Sequence, residues 1–226
     1  MLRFKSSSDF QKEVRKRVRA YFKDENKSSL ADYRYYIKAV LNLALYLVPF
    51  VFFLTSNWGF GMTTLLWAIT GLGMAGVGMN VMHDGNHGSF SNKEWVNRIM
   101  GSSIYILAGN VYNWQVQHNV LHHTYTNIHG HDEDLDAGRI MRFTEHSEWK
   151  WYHKFQHYYS VLLYGLLTIN WAITTDFLQM KRYMKRKLSY GKLPNPVWNW
   201  SKLVISKIIY IAIWIIIPMV FLEIAW

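Results

Sequence analysis

The chain has 226 residues, half of them hydrophobic, with 11 Trp, 15 Tyr and 12 Phe and a formal net charge of +10. It has no cysteine, which excludes disulfides, zinc–thiolate sites and cysteine-held iron–sulfur clusters. The basic residues flank long apolar runs and form no nucleic-acid-binding signature, so the charge favours an anionic membrane surface as partner and argues against nucleic acid.

Residues 1–32 form a polar, basic segment, which we expect on the cytoplasmic side of a membrane. Within it, QKEVRKRVRAYFK (11–23) places Val14, Val18, Tyr21 and Phe22 at helical spacing among basic residues. This pattern predicts an amphipathic helix. The helix either lies in the membrane interface or packs as a soluble helix on its own domain, and the sequence leaves both readings open.

Two long apolar runs follow, at residues 36–54 and 62–82. As helices, each would be about 30 Å long, which is the thickness of the hydrocarbon core of a bilayer. The short link TSNWGFG predicts a transmembrane hairpin with both outer ends on one side. Gly71, Ala75 and Gly78 would give the second helix a small face for close packing.

Residues 203–222 predict a third span, whereas residues 158–178 are ambiguous. The latter are apolar, but basic segments flank them on both sides (KWYHK and KRYMKRK), so we favour a re-entrant or interfacial helix pair over a full span. Residues 83–157 then lie on the cytoplasmic side. The predicted fold is an all-α integral membrane protein, a transmembrane hairpin plus a further span, in one domain over residues 1–226.

Histidines gather at the cytoplasmic end of the second run and about thirty residues later. The sequences are HDGNH and HNVLHH. In a helix, His83 and His87 share one face, as do His118 and His122, while His123 points in a neighbouring direction. Imidazoles four residues apart can hold one metal ion, and ionisable residues at membrane depth are functional by default. We therefore predict a metal site.

The number of histidines constrains the metal. Imidazole suits zinc, copper, iron and nickel, but five imidazoles exceed what one tetrahedral zinc needs. The set points to two iron ions that handle dioxygen. Nearby carboxylates would accept the second ring N–H of each ligand and fix its tautomer. The candidates are Asp84, Asp132, Asp134 and Asp136, although for Asp132 and Glu133 we favour an acidic solvated loop or a helix N-cap.

Four further residues near these motifs have two readings each. His153 and His157 repeat the HxxxH spacing, but their aromatic neighbours indicate an interfacial belt more than a metal site. Trp114 and Gln115 could line an acyl channel. For Trp114 the alternative is an anchor at the membrane interface.

HDGNH, HNVLHHTYTN and the DEDLD loop together resemble the membrane fatty acid desaturases, especially the front-end or linoleoyl-CoA type found in bacteria. The likeness runs from about residue 30 to residue 226. It implies that the iron ligands are His83, His87, His118, His122 and His123. Asn127 and Asp134 stand where the family tends to keep an Asn and an Asp, and with Asp84 and Asp136 they are the expected supporting residues.

The resemblance implies dioxygen-dependent desaturation of a long-chain acyl group, carried by CoA or by a lipid, at a non-haem di-iron centre in a bacterial cytoplasmic membrane. Electrons would come from an external donor, a ferredoxin or a b-type cytochrome, docked on the basic cytoplasmic face. A hydroxylase or ketolase of the same histidine-box superfamily is an alternative, which the front-end likeness disfavours. A non-catalytic metal-binding membrane protein is another, although transporters place such residues nearer the bilayer midplane.

One departure from the family concerns its third motif. Desaturases of this type carry HDxxH, HxxxHH and, later, QxxHH, and no QxxHH or HxxHH follows HNVLHH here. Five histidines would leave two irons under-coordinated. The sequence therefore predicts a chain that is incomplete at its C-terminus, with a split protein or a degenerate product as alternatives.

Overall fold

A computed structural model describes residues 8–136 and 138–222, and every regular element within these ranges is a helix. The helices are α1 (Asp9–Asp24), α2 (Tyr33–Phe53), α3 (Phe60–Asn86), α4 (Glu94–Ser102), α5 (111–125), α6 (Trp151–Gly165), α7 (Leu167–Lys185) and α8 (Pro196–Phe221). The all-α prediction is confirmed for this part of the chain.

Three of these helices, α2, α3 and α8, are long and apolar enough to cross a bilayer, with 21, 27 and 26 residues. They match the three predicted runs with shifted ends. Helix α3 continues beyond residue 82 to Asn86, and α8 begins at Pro196 instead of residue 203. The earlier start of α8 has a local cause: the Asn195 side chain accepts a hydrogen bond from the backbone N–H of Trp198 (3.0 Å), and proline is favoured in the first helical turn.

The ambiguous fourth run forms two helices that bend sharply. Helices α6 and α7 meet at Leu166 with an angle of 58° between them. This is the geometry either of a broken span or of a re-entrant loop. The predicted helix pair is present, and its position relative to the membrane stays a prediction.

Helices α2 and α3 pack closely through glycines other than the predicted ones. A Cβ atom on Gly73 would lie 2.2 Å from the backbone nitrogen of Tyr46, and one on Gly76 would lie 2.4 Å from Asn42 Oδ1. By contrast, a Cβ on Gly71 would meet nothing within 4 Å. The predicted face of Gly71, Ala75 and Gly78 is therefore wrong, because α3 presents the adjacent face to α2.

Two apolar clusters fix the ends of α3 and α5 beside each other. The first joins α2, the end of α3 and the 3₁₀ turn Ser103–Leu107; its fully buried members include Tyr46, Val77, Val81 and Ile104. The second packs α5 on α7 through Val116, Leu121, Tyr125 and Tyr183, followed by Leu188. Burying each such side chain contributes about 1.5–3 kcal/mol.

Helix α1 is present as predicted, and none of its residues is buried. Its apolar residues Phe10, Val14, Val18 and Tyr21 are exposed, and Phe22 is half-buried. Within residues 8–136 and 138–222, this face does not pack into the protein as the soluble-helix reading required.

Candidate metal centre

The first histidine pair lies at the end of α3, where α4 crosses it. The ring centroids of His83 and His87 are 4.5 Å apart. Between them, Gly85 allows the close crossing, since a Cβ there would lie 2.4 Å from the backbone nitrogen of Gly101. The buried Asn86 amide donates to the carbonyls of Met82 and Gly101 (3.0 Å each). The residues between the two histidines thus lock the pair onto α4.

The second group lies on α5, whose residues Gln115–His122 form a π-helical turn. A π turn closes i→i+5 hydrogen bonds, so residues i+4 and i+5 both lie near residue i. His118 accordingly stacks on His122 (centroids 5.1 Å, planes 16° apart) and also contacts His123 (4.8 Å). His123 points in a direction next to that of His122, as expected, and the π turn also brings it against His118.

The two groups converge into one cluster. The His118 ring lies 5.2 Å from that of His83 and 5.1 Å from that of His87, and His87 lies 4.9 Å from His123. Two sets of side chains bring ligand atoms within 4.8 Å of one another: His83, His87 and His118, and His118, His122 and Asp134. The structure thus brings together all five predicted histidines, with His118 shared by both sets.

Carboxylates lie on the Nδ1 side of these rings. His83 Nδ1 is 3.2 Å from Asp84 Oδ1, and His122 Nδ1 is 3.1 Å from both carboxylate oxygens of Asp132. A carboxylate in this position accepts Nδ1–H and leaves Nε2 as the free lone pair. Both imidazoles are therefore held in the tautomer that offers Nε2 to a metal ion.

Asp134 serves two rings at once. Its Oδ2 lies 3.2 Å from His122 Nδ1 and 3.8 Å from His118 Nδ1. Its Oδ1 accepts a hydrogen bond from Gln117 Nε2 (2.7 Å). Because Asp134 faces the Nδ1 side of both rings, we assign it to orienting the imidazoles, although it also lies close enough to be counted with a ligand set.

Asp132 is a helix N-cap, as favoured above, but it is not solvated. It is buried, and it accepts the backbone N–H groups of Asn127 (2.8 Å) and Asp134 (3.1 Å) in addition to contacting His122. Asn127 takes part through its backbone, which adopts a left-handed φ of 61°. The solvated-loop reading is therefore wrong for Asp132, because its buried carboxylate contacts His122 and caps the turn that follows it.

The solvated-loop reading also fails for Glu133, whose carboxylate accepts hydrogen bonds from Arg182 (2.6 Å) and from the Tyr183 hydroxyl. Asp136 lies apart from the histidines. Its Oδ1 accepts the backbone N–H of Gly138 (3.1 Å), and it belongs to neither set of ligand atoms.

The electrostatics of the cluster favour metal-binding protonation states. Burial, followed by the charges that neighbouring imidazoles would carry, lowers the pKa of His87 to about 4 and also lowers that of His123. Burial would raise the pKa of Asp134, but hydrogen bonds with His118 and Gln117 outweigh it and hold that pKa below its usual value. At neutral pH, His87 and His123 are therefore neutral and Asp134 is ionised, and these are the forms that bind divalent metals.

Trp114 packs directly on the imidazoles. Its ring stacks on His118 (centroids 4.5 Å, planes 28° apart) and meets His83 and His87 edge-on at 5.6 and 5.5 Å. Gln115 Nε2 donates to Asn86 Oδ1 (3.1 Å), which links α5 to the end of α3. Trp114 covers one side of the cluster.

His153 lies outside the cluster and has a structural role. It is buried, its Nδ1 accepts the backbone N–H of Lys150 (3.0 Å), and its Nε2 donates to the carbonyl of Arg139 (3.0 Å). Both ring nitrogens are thus used within the protein, which argues against His153 as a metal ligand, as expected, while the interfacial belt stays a prediction. His157 contacts Tyr158 at 3.9 Å.

The sequence reading missed Gln117 and Gln179. Gln179 Nε2 donates to Gln117 Oε1 (2.6 Å), and Gln117 in turn donates to Asp134. Neither glutamine stands in a motif, because the contact depends on how α7 docks on α5.

A cavity of about 660 Å³ opens beside this cluster. Its lining includes the apolar residues Ile140, Met141, Phe143, Leu163, Leu166 and Leu167 and the polar residues Gln117, Glu133, Asp134, Asp136, Asn170, Thr175 and Gln179. Its volume lies in the range of small-molecule sites, about 300–1,000 Å³.

Fold and site define a class of helical protein in which two histidine motifs, one at the end of a long apolar helix, converge on one cluster. The family model described as fatty acid desaturase matches residues 56–226, and the chain belongs to the fatty acid desaturase family. The predicted resemblance is thereby confirmed.

Named relatives agree with this family. The chain is 34% identical to the sn-1 linoleoyl-lipid 6-desaturase of Arthrospira platensis, covering 95% of this chain and 58% of the relative. It is 31% identical to the acyl-lipid (8-3)-desaturase of Physcomitrium patens, covering 76% and 36%, and 26% identical to the sn-1 linoleoyl-lipid 6-desaturase of Synechocystis sp., covering 80% and 50%. The chain thus spans about half the length of these relatives. No solved structure matches it.

Proposed function

We propose that this chain provides the first two histidine motifs of an acyl-lipid desaturase, which introduces a double bond into a long-chain acyl group using dioxygen. The observation that carries the proposal is the convergence of five imidazoles with carboxylates on their Nδ1 sides. The relatives are acyl-lipid desaturases by name, which supports a lipid-bound acyl group over acyl-CoA.

The donor set fits iron. Five imidazoles without a thiolate exceed one tetrahedral zinc site, and imidazole suits iron. His83, His87, His118, His122 and His123 would be among the ligands of two iron ions. When bound, they would supply the dioxygen chemistry that removes hydrogen from an unactivated methylene.

The residues of the chain have three tasks in this proposal. Asp84, Asp132 and Asp134 keep the ring protons on Nδ1, so that each Nε2 faces the metal position. Trp114 shields the imidazoles on one side and helps to exclude water. The apolar part of the 660 Å³ cavity would take the acyl chain, with the reacting carbons toward Asp134.

We further propose that α2, α3 and α8 cross a bacterial cytoplasmic membrane and that the histidines lie on its cytoplasmic side. The exposed apolar surface of these helices suits lipid contact. Helix α1 would lie in the interface. The basic segment at the end of α7 would attract an acidic electron donor, either a ferredoxin or a b-type cytochrome.

Two alternatives are less well supported. The relatives named above are desaturases, which disfavours a hydroxylase or ketolase. A vestigial histidine cluster would not require carboxylates that orient its imidazoles. Their presence therefore disfavours a non-catalytic protein.

Fatty acid analysis tests the proposal. The whole protein would be expressed in a host supplied with linoleate, and the methyl esters of its lipids would be resolved by gas chromatography with mass spectrometry. We expect a new double bond, which His122→Ala abolishes while the variant stays in the membrane fraction. Asp24→Asn, at an exposed position of α1, should retain it. A hydroxylated product would favour the alternative, and full activity of His122→Ala would remove His122 from the ligand set.

A further inference from the structure

Among the polar contacts between helix α7 and the histidine-bearing part of the protein are three pairs at regular intervals along α7. Asp176 Oδ1 accepts from Asn113 Nδ2 (3.0 Å), Gln179 Nε2 donates to Gln117 (2.6 Å), and Arg182 donates to Glu133 (2.6 Å). We call these pairs the polar seam.

The residues of the seam share one face of each helix. Positions 176, 179 and 182 of α7 follow each other at intervals of three, and Asn113 and Gln117 of α5 are four apart. Asp176, Asn113 and Gln179 are buried, and a buried polar group without a partner is costly. The seam therefore fixes both the register and the rotation of α5 against α7.

The central pair reaches the cluster through a chain of hydrogen bonds. The Gln117 amide donates from Nε2 to Asp134 and accepts on Oε1 from Gln179. Reversing this amide would turn its oxygen toward the Asp134 carboxylate and its N–H groups toward the Gln179 donor. Gln179 thus fixes the one amide orientation in which Gln117 holds Asp134.

We infer that Gln179, acting through Gln117, is a positioning residue for the metal ligands His118 and His122, although it lies on a helix that carries no histidine motif. The inference rests on the proposed metal site. Asp134 needs a held orientation to face Nδ1 of both rings, at 3.2 Å from His122 and 3.8 Å from His118, and Gln117 donates to its other oxygen. Partners of this outer kind typically contribute 10–100-fold to metal affinity.

Cobalt titration of the purified whole protein in detergent tests this, with the visible absorption of histidine-bound Co²⁺ as readout. The variants are Gln117→Met, Gln179→Met and the double variant, with Asp136→Asn as the matched control. We expect each single variant to bind Co²⁺ at least 10-fold more weakly. The double variant should be no weaker than Gln117→Met, because Gln179 acts through Gln117.

Far-UV circular dichroism checks that each variant keeps its helices. If Gln179→Met loses them, Gln179→Asn replaces it, since it keeps the amide but is too short to reach Gln117. Wild-type affinity in the folded Gln179 variants, or additive losses in the double variant, would overturn the inference and leave the proposed function standing. Failure of the wild-type chain to bind Co²⁺ would overturn the proposed metal site and the inference with it.

Discussion

The Nε2 atoms of His118 and His123 lie 3.3 Å apart, although the two residues are five positions apart in the chain. In an α-helix, a residue five positions on points about 140° away. The π-helical turn removes this offset and aims two ring nitrogens at one point. Two nitrogens at this distance share either one proton or one metal ion. The lowered pKa of His123 disfavours the proton and so favours the metal ion.

The sharing of His118 by both ligand sets leads to the first prediction. His118→Ala should weaken Co²⁺ or Fe²⁺ binding more than His83→Ala, because it removes a ligand from both sets while His83→Ala leaves one intact. The loss should exceed the 10–100-fold typical of supporting residues, as measured by calorimetric titration.

His153→Ala is the matched control for that experiment. It should leave metal affinity unchanged and lower the free energy of unfolding by about 1–3 kcal/mol, because it leaves the N–H of Lys150 without its acceptor and removes one of two hydrogen bonds to the carbonyl of Arg139, the other coming from Tyr152. Equal metal affinity in His118→Ala and His153→Ala would contradict the assignment.

The second prediction concerns Asp132. Asp132→Asn should weaken metal binding roughly 10–100-fold, because an amide can present N–H to Nδ1 of His122 and shift the ring proton to Nε2. Titration with Co²⁺ measures this, and Asp136→Asn serves again as the control. If both variants bind equally well, the tautomer of His122 does not depend on Asp132.

The helices could be predicted from the sequence, whereas the contacts between them could not. Apolar runs and helical spacing gave α1, α2, α3 and α8 and both histidine pairs, because these depend on local pattern. The face of α3 that meets α2 was mispredicted, because small residues occur on two faces of this helix. In the structure, Gly73 and Gly76 form the contact with α2.

The same limit explains the errors in the site. Asp132 looked like a loop residue because nothing in HDEDLD reveals that the loop folds under His122. Gln179 gave no signal because its partner is 62 residues away. A π turn adds no distinctive residue to HNVLHH, so the contact of His123 with His118 could not be foreseen.

A third prediction concerns a buried ion pair beside the polar seam. Lys207 on α8 donates to Asp176 (2.5 Å), to the carbonyl of Trp171 (3.0 Å) and to that of Ala108. Lys207→Met should lower the free energy of unfolding by about 3–5 kcal/mol, because it leaves the Asp176 carboxylate buried without its counter-ion. Chemical denaturation in detergent, followed by circular dichroism, measures this.

The double variant Lys207→Met/Asp176→Leu separates the charge from the packing. It should be more stable than Lys207→Met alone, since it leaves no unpaired buried charge. A double variant that is less stable than the single one would mean that Asp176 stabilises the protein mainly through Asn113.

The last prediction places α1 on an anionic lipid surface. Its apolar residues are exposed along one face and its basic residues surround them, the pattern of interfacial helices. Since the chain has no cysteine, Val14→Cys allows a single environment-sensitive fluorophore on the apolar face, with Lys16→Cys on the opposite face as control. With the protein reconstituted in vesicles containing phosphatidylglycerol, emission should shift to the blue at position 14 but not at 16. The shift should weaken in neutral lipid and at high salt, because each basic residue near an anionic surface contributes about 1 kcal/mol and salt screens it. Solvent-like emission at both positions in every lipid would show that the helix stays in water and that its apolar face serves a protein partner instead.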